Sequence, residues 1–155
     1  MRKKIKFGTD GWRGVIAEEF TFENLKAVAQ AISLWINRSF SNRSVAVGYD
    51  TRFLSDEFAK TVACVLAANG IKVLLSDRAV PTPAVSFTTR RKHLCTGIMI
   101  TASHNPARFN GLKIKVGSGG AAPESVTKNV ENLIFKTKVK EISLEQAISK
   151  NKIKL

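Results

Sequence analysis

Ser103 lies in the run Thr101-Ala102-Ser103-His104-Asn105-Pro106, directly behind the apolar stretch Gly97-Ile98-Met99-Ile100. The apolar stretch reads as a buried strand, and the polar run as the turn at its carboxyl end. In open α/β sheets, ligands bind beyond the carboxyl ends of strands. A hydroxyl held there, beside the His104 imidazole and followed by a turn-fixing proline, is a candidate carrier of a phosphoryl or acyl group. The alternative is a plain turn in which serine and asparagine bond only to nearby backbone.

Two more polar loops follow apolar runs, Gly8 to Gly14 and Asp50 to Arg52. If the strands are neighbours in one sheet, the three loops converge at one edge. They then gather Arg13, Arg52, Ser103, His104 and Lys113, a hydroxyl surrounded by cations. Such a set suits a phosphate better than an acyl intermediate, because the donors can neutralise phosphoryl oxygens. A serine hydrolase is disfavoured. There is no Gly-x-Ser-x-Gly elbow, and His104, adjacent to Ser103 in the chain, is poorly placed as its base. Arg13 lies between glycines, so its backbone can approach a ligand; a structural salt bridge is the alternative. Lys113 heads a strand and points either into the cleft or into solvent, with Lys115 on the same strand face. Asp10 holds Arg13 or caps a turn, and the structural role is favoured. Asp50 and Arg52 form a pair that orders their loop. Gly117-Ser118-Gly119-Gly120 is not a phosphate loop, since no Gly-Lys-Ser/Thr ending follows.

The elements that must position these residues alternate between strand and helix. Ile5 to Phe7 reads as a first strand. A helix starts at Thr21 as N-cap, with Phe22, Leu25, Val28, Ala29, Ile32, Trp35 and Ile36 at helical spacing. Val45 to Asp50 is a buried strand. Ser55 caps the next helix, whose first turn carries Asp56 and Glu57. Gly70 ends that helix as its C-cap glycine, and Ile71 to Leu75 is a strand. Thr82 is the N-cap of a short helix with Pro83 at its first position. Cys95 to Thr101 is the strand feeding the serine loop. Leu112 to Val116 alternates as a further, partly exposed strand. Pro123 opens another helix with Val126, Val130, Leu133 and Ile134 inward. Leu144 to Ile148 forms one or two helical turns. This order predicts an α/β fold, a three-layer α/β/α sandwich with a mixed, mostly parallel sheet and one antiparallel pair around the serine loop.

Composition narrows the classes further. The 155 residues suit one domain, and 44% hydrophobic residues suffice for a core. Cys64 and Cys95 lie in apolar segments at no metal-like spacing, as core residues in a reducing compartment. No apolar run has bilayer-spanning length, and no apolar region follows the basic start, so the expectation is a cytoplasmic protein with no membrane partner. The net charge of +13 invites a nucleic-acid reading. Its lysines concentrate at the two ends, however, and the aromatics are mostly core-like phenylalanines rather than a stacking surface. Attraction of phosphorylated substrates or an acidic partner domain explains the excess equally well.

Taken together, Phe7-Gly8-Thr9-Asp10-Gly11-Trp12-Arg13-Gly14, Gly48-Tyr49-Asp50-Thr51-Arg52, Thr101 to Pro106 and Asn110-Gly111-Leu112-Lys113 resemble the α-D-phosphohexomutases, the superfamily of phosphoglucomutases, phosphomannomutases and phosphoglucosamine mutases. The resemblance implies that Ser103 carries a phosphoryl group between the C1 and C6 oxygens of a hexose phosphate through a bisphosphate. Glucose or mannose phosphate is the first choice of sugar and glucosamine phosphate the second. A hexose 1,6-bisphosphate is the implied activator. The resemblance further implies Mg²⁺, held by the phosphate on Ser103 and by aspartates. Arg13 and His104 match positions near that phosphate, and Lys113 a lysine that moves the proton of the attacking hydroxyl. Thr9, Arg52 and Asn105 complete the implied phosphate and substrate contacts.

The superfamily's Asp-Gly-Asp-Gly-Asp-Arg metal loop is absent, as are its sugar-recognition loop and its C-terminal phosphate clamp. The chain therefore resembles the first of four domains, over residues 1–137, with 138–155 as a basic tail or the start of a linker. Its partners are then the remaining domains and a hexose phosphate, and alone it has little or no mutase activity. A non-catalytic basic binding module is the competing class.

Overall fold

The computed structural model describes residues 5–9 and 11–155. The role expected of Asp10 therefore lies outside the described residues. Six strands form one sheet in the order β1-β5-β4-β2-β3-β6. They are β1 (Trp12–Val15), β2 (Ser44–Tyr49), β3 (Lys72–Leu75), β4 (Thr96–Ile100), β5 (Phe109–Val116) and β6 (Ile153–Lys154). β5 runs antiparallel to both β1 and β4, while β4-β2, β2-β3 and β3-β6 pair in parallel.

Among the described residues there are five helices: α1 (Phe22–Ser39), α2 (Ser55–Ala68), α3 (Thr82–Arg91), α4 (Glu124–Leu133) and α5 (Leu144–Ser149). α2 rests on β2, β3 and β4, α1 packs against both α2 and α4, and α5 packs against α2. Among the described helices, α3 alone covers the opposite face, over β2, β4 and β5. The three expected layers are present, with very unequal helical layers.

The core divides along the period-2 alternation of the strands. Val45, Val47, Ile98, Ile100, Leu112 and Ile114 meet the large helical layer. Ala46 and Met99 point the other way, onto Val85 of α3. Near β1 the large core is aromatic. Trp12 and Phe20 have ring centroids 4.6 Å apart, and Phe20 meets Phe58 edge-on at 4.9 Å. Cys95 is buried and Cys64 half-buried, both as free thiols. Burial pushes both thiols above their ordinary pKa.

Local signals explain several boundaries. Thr21 caps α1, its Oγ1 accepting from the Asn24 amide at 3.2 Å. α2 ends in a Schellman motif: the Gly70 amide donates to Ala67, and the Ile71 amide to Leu66. Gly70 adopts φ +81°, which a side chain would resist.

The first strand differs from the sequence reading. It is Trp12–Val15 rather than Ile5 to Phe7, because Trp12–Val15 pairs with Phe109–Leu112 while the Phe7 amide is taken by the Glu131 carboxylate. β5 begins three residues early and is interior rather than partly exposed, since β1 covers the edge that β4 leaves open. Ser55 is the first residue of α2 and not its cap; Leu54 takes the cap position at φ 59°. Thr82 is likewise the first residue of α3, behind Pro81. β6, which pairs with β3 at the far edge, was not legible in the sequence.

Candidate active site

The serine loop leaves β4 at Ile100 and returns as β5 at Phe109. Its entrance is tied to its exit, because the Thr101 amide donates to the Gly111 carbonyl at 2.9 Å. A Cβ on Gly111 would lie 2.6 Å from the Thr101 carbonyl oxygen and 2.7 Å from that of Trp12. Glycine therefore lets β1, β5 and the loop meet this closely.

Between these ties the loop turns sharply. The Ser103 amide donates to Thr101 Oγ1 at 2.9 Å, and the Asn105 amide to the Ala102 carbonyl at 3.1 Å. Ser103 itself is left-handed, at φ 55°. For a residue with a Cβ this conformation costs roughly 1–2 kcal/mol, so the surrounding bonds must hold it. Thr101 and Ala102 are buried, whereas Ser103 and His104 are exposed. The turn thus presents a hydroxyl and an imidazole from a rigid base. Among the described residues, His104 makes no hydrogen bond.

Two arginines grip the loop. Arg13, on β1, donates from Nη1 to Asn105 Oδ1 at 2.7 Å. Arg52, expected to touch phosphate, instead donates to four carbonyls of the serine loop. Its Nη1 reaches Pro106 and Phe109, each at 3.0 Å. Its Nη2 reaches Ser103 at 2.8 Å and Asn105 at 2.6 Å. The expected pairing with Asp50 is present, with Nε 3.6 Å from Oδ2.

Behind Arg52 lies a buried network that sequence reasoning missed. Asp50 Oδ1 accepts from the Arg52 amide at 3.0 Å and from Ser55 Oγ at 2.8 Å. Ser55 Oγ in turn accepts from Asn110 Nδ2 at 2.9 Å, and Asn110 Oδ1 accepts from the Gly111 amide at 2.8 Å. Ser55 and Asn110 are fully buried. The signal that could have found them is a serine at a helix start five residues after an aspartate.

Lys113 is only 7% exposed and sits opposite Met99, on the α3 side of the sheet. It shares that face with Arg13, whose pairing partner Gly111 is two residues away along β5. Lys115 lies on the same face, as the alternation predicts. Thr9 stands apart. It opens onto a cleft of about 720 Å³ lined by Lys6, Phe7, Gly8 and α4, whose walls do not include the serine loop.

The assembled edge offers an exposed hydroxyl on a loop bonded by Arg13 and Arg52, with Lys113 on the same sheet face as Arg13 and Asp50 opposing Arg52. Its field favours an anionic ligand. Among the described residues, no three histidine, cysteine, aspartate or glutamate side chains are grouped to hold a metal. From the serine loop, Ser103, or a phosphate on it, could serve as one ligand of a divalent cation.

Residues 4–141 match the family profile of the phosphoglucomutase/phosphomannomutase α/β/α domain I. The chain belongs to this family. The phosphoglucomutase of Staphylococcus saprophyticus is 34% identical over 97% of this chain and 28% of its own length. A Methanosphaera stadtmanae relative bearing the name phosphoglucosamine mutase is 37% identical over 96% of this chain and 33% of its own. A solved phosphomannomutase structure from Thermus thermophilus superimposes with a TM-score of 0.84 at 39% identity, over 95% of this chain and 35% of that one. The chain thus spans about a third of these relatives and corresponds to domain I of the phosphoglucomutase/phosphomannomutase family. Among the described residues, no helix is long and apolar enough to cross a membrane.

Proposed function

We propose that Ser103 is the phosphoryl carrier of a phosphohexomutase acting on glucose or mannose phosphate, with glucosamine phosphate as the alternative sugar. The reading is carried by one observation: Ser103 is an exposed hydroxyl on a left-handed turn, with its neighbour Asn105 tied to Arg13. Such fixed presentation is what in-line phosphoryl transfer requires.

In the proposed reaction, a hydroxyl of the hexose phosphate forms a new P–O bond as the Ser103 Oγ–P bond breaks. The hydroxyl's proton passes to Lys113, which acts as the uncharged amine in this role, and a proton returns to the Ser103 Oγ as it leaves. The resulting hexose 1,6-bisphosphate turns over and returns its other phosphate to Ser103, and the same bisphosphate is the proposed activator. Arg13, His104 and Asn105 serve the phosphate, and Thr9 serves the substrate from the neighbouring cleft. Mg²⁺ would supply charge neutralisation on the transferring group. This chain would contribute the phosphate on Ser103 to it, with aspartates outside these 155 residues as the other proposed ligands. The proposed functional residues all lie within 1–137, while 138–155 add α5 and β6 to the same layer stack. The compartment is the cytoplasm.

A chimera tests this reading. This chain replaces the matching first domain of the Staphylococcus saprophyticus phosphoglucomutase, and mutase turnover is measured. Turnover that Ser103→Ala abolishes supports the proposal. A folded chimera whose turnover survives Ser103→Ala overturns it.

A further inference from the structure

We propose that Arg52 is a positioning residue for the phosphoryl-accepting serine rather than a ligand of phosphate. This rests on the reading of Ser103 as the carrier.

A guanidinium has five N–H groups in a planar fork and no acceptor. Four of the contacts they can make are engaged by the carbonyls of Ser103, Asn105, Pro106 and Phe109. The Nε edge faces Asp50. A phosphate oxygen could bind Arg52 only by displacing a carbonyl of the loop that carries Ser103. The Arg52 side chain is 15% exposed, which leaves little surface for a ligand.

The four carbonyls are not a random set. They run from Ser103 itself to the first residue of β5, so one planar group draws together the whole exposed part of the loop. The bond to the Ser103 carbonyl acts on the residue with the strained φ. The guanidinium is aimed from behind by Asp50, which is held by Ser55, which is held by Asn110. Asn110 directly precedes Gly111, where the loop entrance is tied to β5. The contacts therefore form a closed circuit joining the end of β2, the start of α2 and both ends of the serine loop. Lysine cannot reproduce it, because an ammonium is a point donor and not a fork.

Two measurements test the assignment. The first is amide hydrogen exchange on this chain with Arg52→Lys and Arg52→Gln, and it depends on no enzymatic activity. At least tenfold faster exchange is expected for the amides of Ser103, Asn105 and Phe109, with α1 and the β2-β3 pair unchanged. Millimolar guanidinium chloride is expected to restore protection to Arg52→Gln, and methylammonium is not. Unchanged loop exchange overturns the proposal. So does equal loss of protection throughout the chain, which would make Arg52 a determinant of the whole fold.

The second measurement is steady-state kinetics of the chimera with Arg52→Lys. A displaced serine is expected to lower kcat by about 100-fold while KM stays within about twofold, as misplacement of a reacting group does. A raised KM at unchanged kcat would instead mark Arg52 as a phosphate ligand and overturn the proposal. If the unsubstituted chimera has no Ser103-dependent turnover, the phosphohexomutase reading fails, while hydrogen exchange still decides the clamp.

Discussion

Ser103, Arg13 and Asn105 form a unit of one hydroxyl, one guanidinium and one amide, and each depends on the others. Asn105 fixes the descending side of the serine turn, and its Oδ1 is held by Arg13 from β1 at 2.7 Å. Removing that donor leaves a partly buried amide oxygen without its charged partner, at a cost of about 1–3 kcal/mol. Arg13→Ala is therefore expected to lower the urea midpoint of this chain modestly and to reduce chimera turnover by at least tenfold. Turnover and midpoint both unchanged would remove Arg13 from the site. At this scale the sequence marked residues that the fold brings together, since Arg13 bonds Asn105 of the serine loop. A polar run after an apolar strand marked Ser103, and flanking glycines marked Arg13. It marked the Asp50–Arg52 pair but was uninformative about the loop partners of Arg52, because those are backbone carbonyls. Every residue carries one, so no pattern of side chains reveals which are engaged.

The strand β5 does most to position the site. It supplies Lys113, closes the serine loop and separates β1 from β4. Gly111 lies where the three meet, and a Cβ there would fall within 2.7 Å of two backbone oxygens. Backbone cannot rotate aside as a side-chain end can. Gly111→Ala is therefore expected to destabilise the chain by about 1–3 kcal/mol, as overpacking does, measured by urea denaturation. A loss below about 0.5 kcal/mol, the range of ordinary surface substitutions, would contradict this account of the junction. Element types were legible where periodicity was strong, as in α1, α2 and the alternation of 112–116. They were not legible where glycine and asparagine dominate. Trp-Arg-Gly-Val and Phe-Asn-Gly read as loops, yet they pair with each other as β1 and the start of β5. Their strand character is a property of the pairing, which no local window contains.

The whole molecule is one α/β/α layer stack whose candidate site lies along one edge. That edge has an exposed hydroxyl and cations, but no metal cluster among the described residues. The chain spans 28% of its Staphylococcus saprophyticus relative. Transfer between two oxygens of a sugar requires the substrate to be held from several sides. The isolated 155-residue chain is therefore expected to show negligible mutase turnover in a coupled assay with glucose 1-phosphate and the bisphosphate. Robust turnover by the purified chain would show that one domain suffices.

The central claim is that Ser103 takes and returns a phosphoryl group. The most direct measurement is phosphopeptide mapping by mass spectrometry of the chimera after incubation with glucose 1,6-bisphosphate, with the Staphylococcus enzyme as positive control. The account predicts one phosphate, located on Ser103, absent from Ser103→Ala and lost on adding excess glucose 1-phosphate. No phosphate on Ser103 in a folded chimera, alongside a phosphorylated control, would contradict it.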